Sequence, residues 1–210
     1  MSLISPAEQQ QIAELIREVE RHTNAELVTV LAARSDDYRY IPVLWAALVS
    51  LALAPALLFT PLSAELIVAI QLGAFCVLAL LLRLPGLAIR LIPRSVRHWR
   101  AANMARRQFL EQGLHHTAGD TGVLLFVSEA EHYVEILADR GVDRHVPPER
   151  WRGIVAEFVD AVRAGQTLSG FERAINAIGE ILADAVPKTP DNRNELDDRL
   201  ILIGYDRDGG

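Results

Sequence analysis

Between Ile41 and Leu82 the chain reads "IPVLWAALVSLALAPALLFTPLSAELIVAIQLGAFCVLALLL", and Glu65 and Cys76 are its only ionisable groups. A helix that packs on the surface of a soluble core keeps one polar face, and neither half of this stretch has one. About 20 apolar residues, rising about 1.5 Å each, cross the hydrocarbon core of a bilayer. The stretch therefore predicts two membrane spans near residues 41–60 and 65–83, joined by the turn "TPLSA". The alternative is a pair of buried helices in a soluble protein, and the rest of the chain is too short to cover them.

The next segment, "RLPGLAIRLIPRSVRHWRAANMARR", holds Arg83, Arg90, Arg94, Arg97, Arg100, Arg106 and Arg107 and no carboxylate. Arginine and lysine beside a span stay on the cytoplasmic side. Arg34 and Arg39 precede the first span, the seven arginines follow the second, and the turn between the spans has none. An integral membrane protein with two transmembrane helices and both termini in the cytoplasm is expected. Arg94, Arg97, Arg100, Arg106 and Arg107, with Val96, Trp99, Phe109 and Leu110 among them, read as an interfacial helix in contact with anionic headgroups of the lipid bilayer. No base-reading fold or stacking motif accompanies the charge, so nucleic acid is not an expected partner.

Without those seven arginines the chain carries 14 basic against 27 acidic residues, a formal balance of −13. The part outside the hairpin is long enough for one small domain in two pieces. Its acidity suits repulsion from the membrane surface beyond the arginine flank, divalent cation binding or a merely solvated face. Cys76 is the single cysteine, which excludes a disulfide framework and a thiolate metal site. The first 25 residues hold no apolar signal-peptide core, and no cleavage is expected.

Ser5, Pro6 and Glu8 form a helix start with a capping box, and Ile12, Leu15, Ile16 and Val19 follow at helical spacing. "AELVTVLAA" reads as a first strand after the break at "HTN". "TGVLLFVS" is a near-continuous apolar strand and "YVEILADRGV" its antiparallel partner across "EAEH". Trp151, Ile154, Val155, Phe158, Val159 and Val162 lie on one face of a helix that stops at Gly165. Ser169 and Glu172 predict a second capping box, opening a helix with Phe171, Ile175, Ile178 and Leu182 in one stripe. "PKTPDNRNELDD" reads as a linker, and "RLILIGY" as either an edge strand or a docking segment.

The segment "GDTGVLLFVSEAEHYVEILADRGV", the helices "WRGIVAEFVDAVRAGQTLSGFERAINAIGEIL" and the opening "HTNAELVTV" resemble the TPM domain, also called the TPM phosphatase family, over roughly residues 5–34 and 100–186. The resemblance implies an α/β fold with a small central mixed sheet flanked by helices, here interrupted by the two-helix transmembrane hairpin. It also implies frequent membrane attachment, divalent metal binding in some members and weak phosphatase activity in others. The chain departs from the usual pattern in that inserted hairpin and in "ADRGV", where many members carry a glycine-rich turn. The expected divisions are 1–40 for the first part of the domain, 41–83 for the hairpin, 84–118 for the basic interfacial helix, 119–186 for the second part and 187–210 for linker and tail.

A crossover helix joins parallel neighbours, so the beginnings of the first two strands and the end of the third share one end of the sheet. Asn24, Glu26, Asp120, Asp139 and Arg140 are expected there. Carboxylate and amide oxygens suit calcium or magnesium, held by Asp120, Asp139, Glu26 and Asn24 with Arg140 for a phosphate or other anion, and magnesium with bound phosphate orients a water for hydrolysis. The plainer reading has Asp120 capping the turn while Asp139 and Arg140 form a surface ion pair, worth about 1 kcal/mol or less. His115, His116 and His132 match no zinc spacing, Ser128 lacks the glycines of a hydrolase nucleophile elbow, and no P-loop or dinucleotide fingerprint occurs. Two functions follow: a membrane-anchored module that binds or assembles with other membrane proteins, and a metal-dependent phosphomonoester hydrolase.

Overall fold

The computed structural model describes residues 4–84, 89, 91–117, 119–190, 196 and 199–205. Arg90 of the basic run and much of the predicted tail lie outside the described residues. The chain divides into two compact units, Asp36–Arg97 and the combination of Met1–Ser35 with His98–Gly210.

In the larger unit, β1 (Glu26–Ala32) and β2 (Gly122–Ser128) are buried at every position. An apolar strand without alternation needs cover on both faces, and both are covered here. The two strands run parallel, from Glu26 opposite Gly122 to Ala32 opposite Ser128. β3 (Tyr133–Ala138) returns antiparallel to β2, and β4 (Leu200–Ile203) adds parallel to the other side of β1, giving the order β3-β2-β1-β4. "RLILIGY" is thus an edge strand.

α4 (Arg94–Glu111) covers one sheet face, setting Ala101, Met104 and Ala105 against Val28, Val30, Leu124 and Phe126. On the other face lie α1 (Pro6–Glu20), α6 (Pro148–Arg163) and α7 (Thr167–Ala185), whose Ile12, Ile16, Phe158, Phe171, Ile175 and Leu182 pack over Leu27, Leu31 and Leu125. Phe158 and Phe171 meet edge to face with ring centroids 4.9 Å apart. The capping box of α1 forms as expected, with Glu8 N–H on Ser5 and the Glu8 carboxylate on Ser5 N–H at 2.6 Å. The one expected for α7 does not. That helix starts two residues earlier, at Thr167, with Gln166 in the capping position and no side-chain cap, so Ser169 lies inside its first turn.

In the smaller unit, α2 (Tyr40–Leu57) and α3 (Ala64–Leu81) form the hairpin, each starting one residue before the sequence reading and ending two or three residues short of it. Ser63 caps α3. Where α2 meets α3 the side chains are small: Ala46 and Ser50 are buried, and the Ser50 hydroxyl donates to the Gln71 carbonyl at 2.8 Å. Small residues and hydroxyl bonds of this sort let apolar helices approach closely. Most of the remaining surface is large and apolar, including Leu44, Leu48, Leu51, Leu66, Leu72 and Leu80.

Candidate functional site

The chain does bring together the segments expected at the amino end of the parallel strands. Thr121 donates to the Asn24 carbonyl at 3.4 Å, Asp139 N–H to the Gly122 carbonyl at 2.8 Å, and Gly141 N–H to the Asp120 carbonyl at 2.8 Å. Glycine is required at 141 because a Cβ there would collide with the carbonyls of Gly119 and Asp120. Asp120 itself sits at φ 56°, in the left-handed region that Asp tolerates better than most residues.

The side chains at this end have other partners. Asn24 forms a two-bond pair with Thr189, its Nδ2 donating to the threonine hydroxyl at 2.8 Å and its Oδ1 accepting from the threonine N–H at 3.0 Å. Glu26 is buried and accepts from Leu196 N–H at 3.3 Å. Asp139 does not continue a strand, as the "YVEILADRGV" reading had it. β3 ends at Ala138, and Asp139 caps the single helical turn α5 (Arg140–Asp143), accepting from Arg140 N–H at 2.7 Å. Arg140 is therefore joined to Asp139 through its backbone. Among the described residues no group of three or more His, Cys, Asp or Glu side chains gathers that could hold a metal ion.

A second polar cluster, at the carboxyl end of the same strands, was not anticipated. Ser128 closes β2, its hydroxyl donates to the Glu131 carboxylate, and both residues are buried. That carboxylate also accepts from Ser35 N–H at 3.1 Å, and the Ser35 and Ser128 hydroxyls lie 2.8 Å apart. Backbone bonds from Glu129 and Ala130 to the carbonyls of Ala32 and Ala33 complete the junction, and the Tyr205 hydroxyl reaches Glu129 beyond β4. A buried carboxylate is tolerated when hydrogen bonds replace its water. Here it fastens the last residue of β1's segment, Ser35, to the β2–β3 turn. The sequence signal was a serine at a strand end followed three residues later by a glutamate.

One side of the basic helix, Ala101, Met104, Ala105 and Gln108, is buried, the first three against the sheet. Arg94 and Arg97 fall on the same side of the helix as those core residues by spacing. Trp99, Arg106 and Leu110 lie on the opposite side, with Arg100 and Arg107 flanking them. Val96 and Phe109 are partly buried, whereas Trp99 and Leu110 are 57% and 56% exposed. Arg100 stacks 5.0 Å from the Trp99 ring centre, Arg106 donates to Asn103 at 3.3 Å, and Arg107 pairs with Glu111 at 3.6 Å.

At the β3 edge, beside α4, Tyr133 donates to Glu135 at 2.9 Å and His98 packs edge-on to the Tyr133 ring. Burial raises the Glu135 carboxyl above its ordinary value, against the Tyr133 hydrogen bond and the Arg106 charge, which lower it. The Tyr133 phenol is raised by burial and then by the charge of Glu135.

A mixed four-stranded sheet between helical layers, with an apolar helical pair set into its β1-to-β2 crossover, defines the architecture. Within it, residues 88–181 match the family described as TPM domain. The matched segment covers α4 through most of α7, while the resemblance read over 5–34 lies outside it. The fold is similar to that of the NMR structure of BA42 protein from the psychrophilic bacterium Bizionia argentinensis, at 15% identity and a TM-score of 0.59 over 96% of each chain. No curated protein matches the chain in sequence.

Proposed function

We propose that the chain is an integral membrane protein in which α2 and α3 cross the bilayer as a hairpin. The TPM-domain fold is then held at the cytoplasmic face as a binding or assembly module for other membrane proteins. The carrying observation is the surface of the hairpin. Only 22% of the α2 residues and 6% of the α3 residues are buried, whereas a core helix of a soluble protein is mostly buried. Each helix has 18 residues, about 27 Å at 1.5 Å per residue, close to the ~30 Å of a hydrocarbon core. Arg34 and Arg39 on one flank and Arg83, Arg94 and Arg97 on the other support one cytoplasmic side for both ends.

The hydrolase alternative lacks support of this kind, since Asn24 and Glu26 are engaged by Thr189 and Leu196 and leave Asp120 and Asp139 as the oxygen ligands of any divalent ion. The test is extraction of bacterial membranes that contain the full chain with alkaline carbonate and then with detergent. Retention through carbonate and release by detergent is the expected result. Release by carbonate alone would reduce the hairpin to a peripheral or soluble element.

A further inference from the structure

We infer that the outer face of α4 is a docking surface for anionic lipid phosphates, with Trp99 and Leu110 as its apolar anchors and Arg100, Arg106 and Arg107 as its cationic contacts; this rests on the proposed membrane insertion of the hairpin. α4 has already used its small apolar side, Ala101, Met104 and Ala105, to cover the sheet, so its opposite side has no folding reason to carry a tryptophan and a leucine more than half exposed. Positions 99, 106 and 110 are spaced i, i+7 and i+11, which aligns them along one line of an α-helix. Arginine is planar, weakly hydrated and able to fork onto phosphate oxygens, and tryptophan favours the layer between headgroup and acyl chain.

Charge complementarity selects the occupant. No carboxylate occurs from Arg83 to Leu110; Arg107 pairs with Glu111, and the Glu135 carboxyl is held by Tyr133 within reach of the Arg106 charge. An acidic protein surface would match the arginines but would leave the apolar pair without a hydrocarbon layer to enter. The chain also limits the distance: twelve residues, 82–93, join α3 to α4, a reach of at most about 45 Å.

The experiment uses the full chain in lipid nanodiscs of phosphatidylcholine, with and without phosphatidylglycerol, and nitroxide labels read by oxygen and nickel-chelate accessibility. The native Cys76, exposed on α3, reports the hairpin. Asn103→Cys in a Cys76→Ser background reports the α4 face, and Glu157→Cys in that background, on the exposed side of α6, serves as the aqueous reference. The expected result is lipid-like accessibility at 76 in both discs and at 103 only in anionic discs, with 157 aqueous throughout. Replacing Arg100, Arg106 and Arg107 by Gln, or Trp99 by Ala, should return the 103 label to water without moving the Cys76 signal. Salt should do the same, because the screening length falls from about 10 Å at 0.1 M to about 3 Å at 1 M. A label at 103 that stays aqueous in anionic discs while Cys76 is in lipid overturns this inference alone. An aqueous signal at both positions overturns the hairpin insertion and this inference with it.

Discussion

α3 and α7 are nearly the same length, 18 and 19 residues, and both are rich in leucine, isoleucine and alanine. α7 concentrates Phe171, Ile175, Ile178 and Leu182 on one side and turns Glu172, Arg173, Glu180 and Asp184 away from the core. In α3, only Ile67 is buried, and leucine, valine and isoleucine occupy the exposed positions all round. Apolar content alone therefore does not tell a core helix from a membrane helix. The distribution of apolar groups about the axis does, because water must meet polar groups on one side and hydrocarbon must not meet them on any.

That contrast is open to direct attack. The largest effect should come from the core: Phe171→Ala removes a fully buried ring that meets Phe158 edge to face and should cost about 3–5 kcal/mol of domain stability. Chemical denaturation of the detergent-solubilised chain measures it. Leu72→Ala, at a site 61% exposed on α3, should leave the same transition in place, and an equal loss at both sites would erase the distinction. Next comes Leu72→Lys, which places a charge near the middle of α3 at an insertion cost of about 2.5–3.5 kcal/mol. A translocation reporter should record poorer insertion, while the denaturation midpoint of the folded domain stays where it was.

A smaller effect is expected within the domain at Glu135. Its carboxyl is raised from an ordinary 4.5 mainly by burial, so the folded chain holds this proton to a higher pH than the unfolded chain does. The folded state then binds more protons in that interval, and stability falls as pH rises through it. Glu135→Gln should remove this part of the pH dependence and gain stability at neutral pH, where the parent must keep a partly buried charge. Urea midpoints collected from the acid side to neutrality would show it, and an unchanged slope would deny the role of burial. The smallest expected response is to divalent ions. With Asn24 and Glu26 bound to Thr189 and Leu196, calcium and magnesium should leave the melting temperature unmoved. A rise that disappears in Asp120→Asn would restore the metal site, since a ligand at a hundred times its dissociation constant adds about 2.7 kcal/mol.

The sequence disclosed the features written in local patterns. The capping box at Ser5 and Glu8, the apolar strand 122–128, the parallel β1–β2 pair that a crossover demands, and the α6 and α7 stripes all follow from periodicity and connection rules. The candidate site was legible only as a meeting of segments. Which atoms remain available there depends on partners 165 and 170 residues away, Thr189 against Asn24 and Leu196 against Glu26, and no spacing rule reaches so far. The Ser169 cap failed for the opposite reason. Gly165, at φ 74°, ended α6 and let α7 begin at Thr167, before the serine could act. In the arginine helix the charge is visible in the sequence, while the side turned toward the sheet, Ala101, Met104 and Ala105, is not.

The central claim, that α2 and α3 form a membrane hairpin with both chain ends on one side, is tested most directly in intact bacterial cells by labelling single cysteines with a membrane-impermeant maleimide. In a Cys76→Ser background, Thr60→Cys in the loop between α2 and α3 should react from outside. Glu14→Cys on α1 and Glu157→Cys on α6 should react only after the membrane is opened. External labelling at 14 or 157, or protection at 60 in intact cells, would contradict the hairpin and its orientation.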